Sequence, residues 1–307
     1  MKIAVVGAGG VGGGFGAALA KAGADVTFIA RGAHLAAMES AGLKIESPRG
    51  DTHLAPTQAT DDPKTIGKVD VVLFCVKLWD LESAGEHIRP LIGPDTAVIP
   101  LQNGIDAADR LIPILGAKAV MGGVAQISAS IIQPGVIRQV GTFMRMIFGE
   151  LDGSRSKRAE EFLALCLKAG FDATLSDQIV TELWMKFIPL ATNASITAAT
   201  RLPIGKLRDD PDVRAVFLAA ITEVIEVGRA KGISLPADAL GRTLDFISHT
   251  PPAMKASMAL DLERGNRLEL PWLSGKVAEL GREVSVPTPT HDLLYALLKP
   301  FIMGTPA

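Results

Sequence analysis

At 307 residues and 48% hydrophobic content the chain can bury sizeable cores, and its length suits about two domains. A net charge of −2, with both signs interspersed, excludes the basic footprint of a nucleic-acid binder and gives no attraction to an anionic membrane. No apolar run is long enough to span a bilayer, and Met1 leads straight into a core strand with no room for a signal peptide.

The two cysteines, Cys75 and Cys166, are far apart in apolar surroundings and read as buried thiols of a reducing compartment. His34, His53, His87, His249 and His291 lack metal-ligand spacing, so no metal is expected. A soluble cytoplasmic protein follows.

The chain opens on a β-branched run, Lys2 to Val6, that breaks at Gly7; a helical pattern resumes near Val11 and runs through Phe15 and Leu19. The turn reads Gly7-Ala8-Gly9-Gly10-Val11-Gly12, with Gly7, Gly9 and Gly12 at the G-x-G-x-x-G spacing. Such a turn puts uncapped helix N–H groups in front of a dinucleotide pyrophosphate. A second strand, Asp25–Ala30, follows and ends at Arg31. An acid there would accept from a ribose 2′-hydroxyl, whereas an arginine pairs with a 2′-phosphate in a fork. With Arg31 and no acid from Phe28 to Arg31, NADP(H) is favoured over NAD(H); the bland alternative is a solvated arginine.

A helix over 34–40 and short strands around 43–45 and 52–54 come next. The continuous apolar strand 70–76 is of the kind buried on both faces, and it emerges at Lys77 on the cofactor side, where the lysine touches cofactor or stabilises the loop. A helix over 81–91 precedes strand 96–101, which ends in Gln102-Asn103-Gly104; this is either a plain turn or the point where Asn103 meets nicotinamide and the reacting carbonyl. A buried strand at 119–125 is followed by alternating segments 131–137 and 142–148, expected to form antiparallel hairpins extending the sheet. A helix over 156–169 and a strand near 173–175 complete the first domain.

The remainder is expected to be helical: 179–199, 211–231, 237–248, 254–264, 271–282 and 290–298. The expected architecture is therefore α/β, an N-terminal Rossmann-type doubly wound sheet with an antiparallel extension (1–176) and an all-α C-terminal domain (177–307). A cleft between such domains is a usual place for a small-molecule site.

Reducing a ketone with a nicotinamide requires a proton donor. Lys186, a charged residue in the apolar helix Glu182–Ile188, can polarise a carbonyl and donate a proton; outside that context a snorkelling lysine is the ordinary explanation. Asn193 and Thr197, seven and eleven residues on, share its face of a regular helix, and Pro189 is positioned to kink it. Farther on, Ser257 can donate to a substrate carboxylate, and Glu269 can bond a substrate hydroxyl or hold the lysine. Asp261 can cap or pair with Arg264.

The ordered set of the glycine turn, Arg31, Val76-Lys77, Gln102-Asn103-Gly104, Trp184-x-Lys186, Pro203-x-Gly205, Ser257-Met258-x-x-Asp261, Glu269 and Val286-Pro287-Thr288-Pro289 resembles the ketopantoate reductase (2-dehydropantoate 2-reductase) family across essentially the whole chain. The resemblance implies NADPH-dependent reduction of 2-dehydropantoate to pantoate, a step toward pantothenate and coenzyme A. It implies Lys186 as general acid, Ser257 and Glu269 as substrate contacts, Arg31, Lys77 and Asn103 as cofactor contacts, and a homodimer. The chain departs from the family at one place: asparagines usual four and eight residues after the lysine are replaced by Leu190 and Ala194, and Asn193 lies beside the second position. Each lost hydrogen bond would cost roughly 1–3 kcal/mol if the substrate's polar groups stayed unpaired. Two alternatives stand beside ketopantoate reduction within enzymes, another 2-oxoacid and a 3-hydroxyacid; an NADPH-binding sensor without turnover is a third, against which the retained Lys186 and Glu269 argue.

Overall fold

The computed structural model describes residues 1–305. It divides into two units, one of Met1–Gln102 with Asp106–Glu182, the other of Asn103–Ile105 with the chain from Leu183 onward.

The first unit begins with β1 (Lys2–Val6), α1 (Gly10–Lys21), β2 (Asp25–Ile29) and α2 (Gly32–Ala41). It continues through β3 (Leu43–Glu46), β4 (Thr52–Leu54), β5 (Ala59–Thr60), β6 (Val71–Phe74), α3 (Leu81–His87), β7 (Ala97–Pro100) and α4 (Ala107–Leu115). The long strands β8 (Gly122–Gln133) and β9 (Val136–Gly149), then α5 (Lys157–Lys168) and β10 (Asp172–Leu175), complete it. Strands β5-β2-β1-β6-β7 form an all-parallel sheet, so the carboxyl ends of β2 and β6 flank that of β1. Their side chains are buried along almost their whole length, as the apolar runs require of a sheet covered on both faces. The core gathers Ile3, Val5, Phe15, Leu19, Phe28, Leu73, Ile99 and Phe148.

The alternating segments form the expected antiparallel pairing, but in a sheet of their own rather than as an extension of the first. The antiparallel hairpin turns at Pro134-Gly135, where Gly135 has φ +76°, and residues 138–141 lie inside β9. With β9 parallel to β10 and to β3, and β3 antiparallel to β4, this hairpin builds a second five-stranded sheet, joined to the first by a bridge between Val98 and Val120. The segment expected as one helix over 81–91 ends at His87 and continues as a 3-10 turn, Arg89–Leu91, because Pro90 has no N–H to extend the ladder. Helix α4 has no counterpart among the expected elements.

The second unit is helical: α6 (Ile179–Thr200, whose first turn belongs to the first unit), α7 (Ile204–Leu207), α8 (Pro211–Ala230), α9 (Ala239–His249), α10 (Ser257–Glu263), α11 (Ser274–Glu283) and α12 (Pro289–Leu298). Helix α6 passes through Pro189 as a single helix. Helix α10 starts three residues later than expected. Pro271 falls in a separate 3-10 turn, Leu270–Trp272, that precedes α11. Among the described residues no helix is long and apolar enough to cross a membrane.

Candidate active site

Two groups of residues are candidates for cofactor binding and chemistry, one in each unit. In the first, β1 ends at Val6 and the chain turns at Gly7, whose φ of +93° and whose Cβ position, 2.9 Å from the Cys75 carbonyl, both demand glycine. A Cβ at Gly12 would lie 2.2 Å from the Gly7 oxygen, so α1 can leave the strand this closely only with glycine there. Gly9 is different. Its φ is an ordinary −75°, and a Cβ on it would meet nothing within 4 Å. The fold does not need glycine at that place; what its absence of a side chain keeps clear is the space before the start of α1. Gly9 caps that helix without a side-chain bond, and its first turn holds no acid, so uncapped N–H groups and the positive end of the dipole remain for an anion. The turn fits a dinucleotide pyrophosphate. Gly10 and Val11 begin α1, with Gly10 tight against the Ala129 carbonyl of β8.

The turn is held from one side by His34. Gly135 N–H donates to His34 Nδ1 (3.0 Å), which leaves the proton on Nε2 to donate to the Ala8 carbonyl (2.9 Å). Burial lowers the His34 pKa, and the bond to Ala8 opposes that shift. Nothing in the sequence marks this histidine except its place three residues after Arg31.

Arg31 lies beyond β2, largely exposed, and its Nη2 donates to Asp80 Oδ2 at 2.8 Å. Lys77, exposed beyond β6, holds its ammonium 5.5 Å from the Trp79 ring centre. Gln102 ties the parallel strand ends together, its Nε2 donating to the Phe74 (2.9 Å) and Val76 (3.2 Å) carbonyls. Cys75 and Cys166 are free thiols, Cys166 fully buried and Cys75 partly, and burial pushes both pKa values up, which leaves them unreactive.

The second group is Lys186, Asn103 and Glu269, all in the second unit. Helix α6 carries Trp184, Phe187 and Ile188, each no more than 5% exposed, so Lys186 rises from an apolar helix surface. Its Nζ donates to Asn103 Oδ1 at 3.2 Å, and Asn103 Nδ2 makes a long contact, 3.5 Å, with Glu269 Oε2. The amide orientation is thereby set, oxygen to the ammonium and nitrogen to the carboxylate. Glu269 is buried between the fully buried Leu268 and Leu270, at the start of the 3-10 turn that Pro271 initiates. Withdrawal from water brings the Lys186 pKa down to about 8, and the Glu269 charge opposes that shift. An ammonium with this pKa is a proton donor matched to neutral solution.

A buried polar chain secures the same helix. His291 Nε2 bonds the Ala220 carbonyl (3.1 Å), so Nδ1 accepts from Ser274 Oγ (2.9 Å), which in turn accepts from Ser195 Oγ of α6 (2.6 Å). Glu223 accepts from the N–H groups of Thr290 and His291. The sequence shows His291 only as a histidine without metal spacing; its partners come from α6, α8 and α11.

The other expected substrate residues are not joined to this group. Ser257 is exposed at the start of α10 and makes no side-chain hydrogen bond among the described residues. Asn193 is half-buried, and its Oδ1 has no hydrogen-bond partner among the described residues. Thr197 bonds back to the Asn193 carbonyl. Asp261 Oδ1 accepts from Asn266 Nδ2 at 3.1 Å.

Residues 3–153 match the family described as ketopantoate reductase PanE/ApbA, and residues 178–301 match its C-terminal region. A 2-dehydropantoate 2-reductase of Mesorhizobium japonicum is 32% identical over 97% of each chain. The chain belongs to the ketopantoate reductase family. A crystal structure of a PanE/ApbA family ketopantoate reductase from Ralstonia eutropha JMP134 covers 98% of both chains at 32% identity and TM-score 0.90. A D-mandelate dehydrogenase, solved with NADH and anilino(oxo)acetate, has the same fold: 22% identity, TM-score 0.90, 98% of both chains. Four and eight residues after Lys186, α6 carries Leu190 and the buried Ala194.

Proposed function

We propose that this family member is an NADPH-dependent reductase of 2-dehydropantoate, with Lys186 as general acid. Residues 1–176 would hold the dinucleotide, and 177–307 would bind substrate and form a homodimer. The observation that carries the proposal is the Lys186 ammonium, brought to a pKa of about 8, bonded to Asn103 and paired electrostatically with Glu269. The bound cofactor supplies a hydride. Lys186 polarises the ketone oxygen and gives it a proton as negative charge builds there. Asn103 aims the Lys186 ammonium. Glu269 keeps that ammonium charged in a site that would otherwise neutralise it, and Ser257 and Asn193 supply polar contacts for the acid. Gly9 and the start of α1 support pyrophosphate binding, and Arg31 supports the 2′-phosphate.

Leu190 and Ala194 favour a second reading, reduction of a 2-oxoacid whose side chain is apolar where ketopantoate has a hydroxyl. NADPH oxidation with ketopantoate, unbranched and branched 2-oxoacids and 3-oxoacids separates the two. Highest kcat/KM with ketopantoate supports the first reading, and highest kcat/KM with an apolar 2-oxoacid supports the second. Tight NADPH binding with no oxidation of it by any substrate would make the chain a sensor. Light scattering reads the mass of the assembly.

A further inference from the structure

The residue at the end of the second strand reads the adenosine 2′ position, and here that residue is already engaged. Arg31 follows β2. Asp80 closes the 3-10 turn Leu78–Asp80 that follows β6 and precedes α3. Because β2 and β6 lie on either side of β1, the Arg31–Asp80 pair spans the carboxyl end of β1, above the point where the chain turns at Gly7. The acid absent from the end of β2 is thus supplied from the end of β6.

Resting on the NADPH reading above, we propose that Asp80 is a specificity-determining residue that holds down the preference for NADPH over NADH. A 2′-phosphate must draw the Arg31 guanidinium away from Asp80 and then sit beside a like charge. A ribose 2′-hydroxyl meets no such cost and can donate to the carboxylate. Asp80 is free to act this way because the fold makes little use of its side chain. It makes no capping bond to α3, and its partner Arg31 is 79% exposed, so the pair adds little stability.

The test is fluorescence titration of the full chain with NADPH and with NADH, for the wild type, Asp80→Asn, Asp80→Ala and Glu86→Gln. Glu86 is an exposed carboxylate of α3 paired with Arg89, and its variant controls for general charge. Both Asp80 variants should bind NADPH about tenfold more tightly, the scale of relieving one competing charge at contact distance, with NADH unchanged or weaker. Adenosine 2′-phosphate should compete better against the Asp80 variants than against wild type. An unchanged ratio of NADPH to NADH affinity in folded Asp80→Asn or Asp80→Ala protein, or an equal gain in Glu86→Gln, overturns the proposal. If the wild type binds neither dinucleotide, the NADPH reading itself fails. If it binds both and the ratio ignores Asp80, only the present inference fails.

Discussion

Replacing Glu269 with glutamine keeps shape and hydrogen-bonding capacity and removes one buried negative charge. That charge works against the desolvation that brings Lys186 down to about 8. An opposite charge close to an ammonium shifts its pKa by about 1–3 units, so Glu269→Gln should lower Lys186 from about 8 to roughly 5–7. At about pH 7.5 the protonated fraction of Lys186 then falls from about three-quarters to about one-tenth, taking a value of about 6.5. The assay is kcat/KM for 2-oxoacid reduction against pH. Wild type should lose activity as pH rises through about 8, since only the ammonium can donate. In Glu269→Gln that alkaline limb should move down by about 1–3 units, with activity at the acid end of the profile much less affected. An alkaline limb that stays in place while activity drops evenly at every pH would refute the electrostatic role and leave Glu269 as a substrate contact only.

Lys186→Ala should reduce kcat by about two orders of magnitude or more, the general-acid contribution, with little change in NADPH affinity by titration; full turnover would remove Lys186 from the mechanism. Gly12→Ala places a methyl 2.2 Å from the Gly7 oxygen, so the variant should lose dinucleotide binding and several degrees of Tm, read by thermal melts with and without NADPH. His291 and His34 have folded pKa values below the ordinary 6.5, chiefly through burial. The unfolded chain therefore takes up protons first as pH falls below 6.5, and the stability present above that value is lost, by up to about 1.4 kcal/mol for each unit of depression. Tm should fall between pH 7 and about 5, and less steeply in a His291→Gln variant that is destabilised throughout; equal slopes would contradict the buried-neutral assignment.

What could be read from the sequence is what depends on local pattern. The strand, glycine turn and helix at 2–21 follow from spacing alone, as does the apolar helix carrying Lys186. The second sheet was hidden because the alternation of β8 and β9 is the same whether they extend one sheet or build another; pairing of β9 with β3 and β10 decides it. Helix α4 was obscured by Pro113, which lies inside it and removes one of its ladder hydrogen bonds, so the local pattern reads as a break. The active group itself is long-range: Asn103 lies 83 residues from Lys186 and 166 from Glu269, and no periodicity relates them. Arg31 stood out in the sequence as a candidate phosphate ligand, but its partner Asp80, 49 residues on, did not.

The central claim is that Lys186 delivers a proton to a 2-oxoacid reduced at the expense of NADPH. Its most direct test is the pH profile of NADPH oxidation with 2-oxoacids, wild type against Lys186→Ala. Wild type should oxidise NADPH with an alkaline limb near 8, and the variant should be slow and lack that limb. Equal rates, or the same limb in both proteins, would contradict the account.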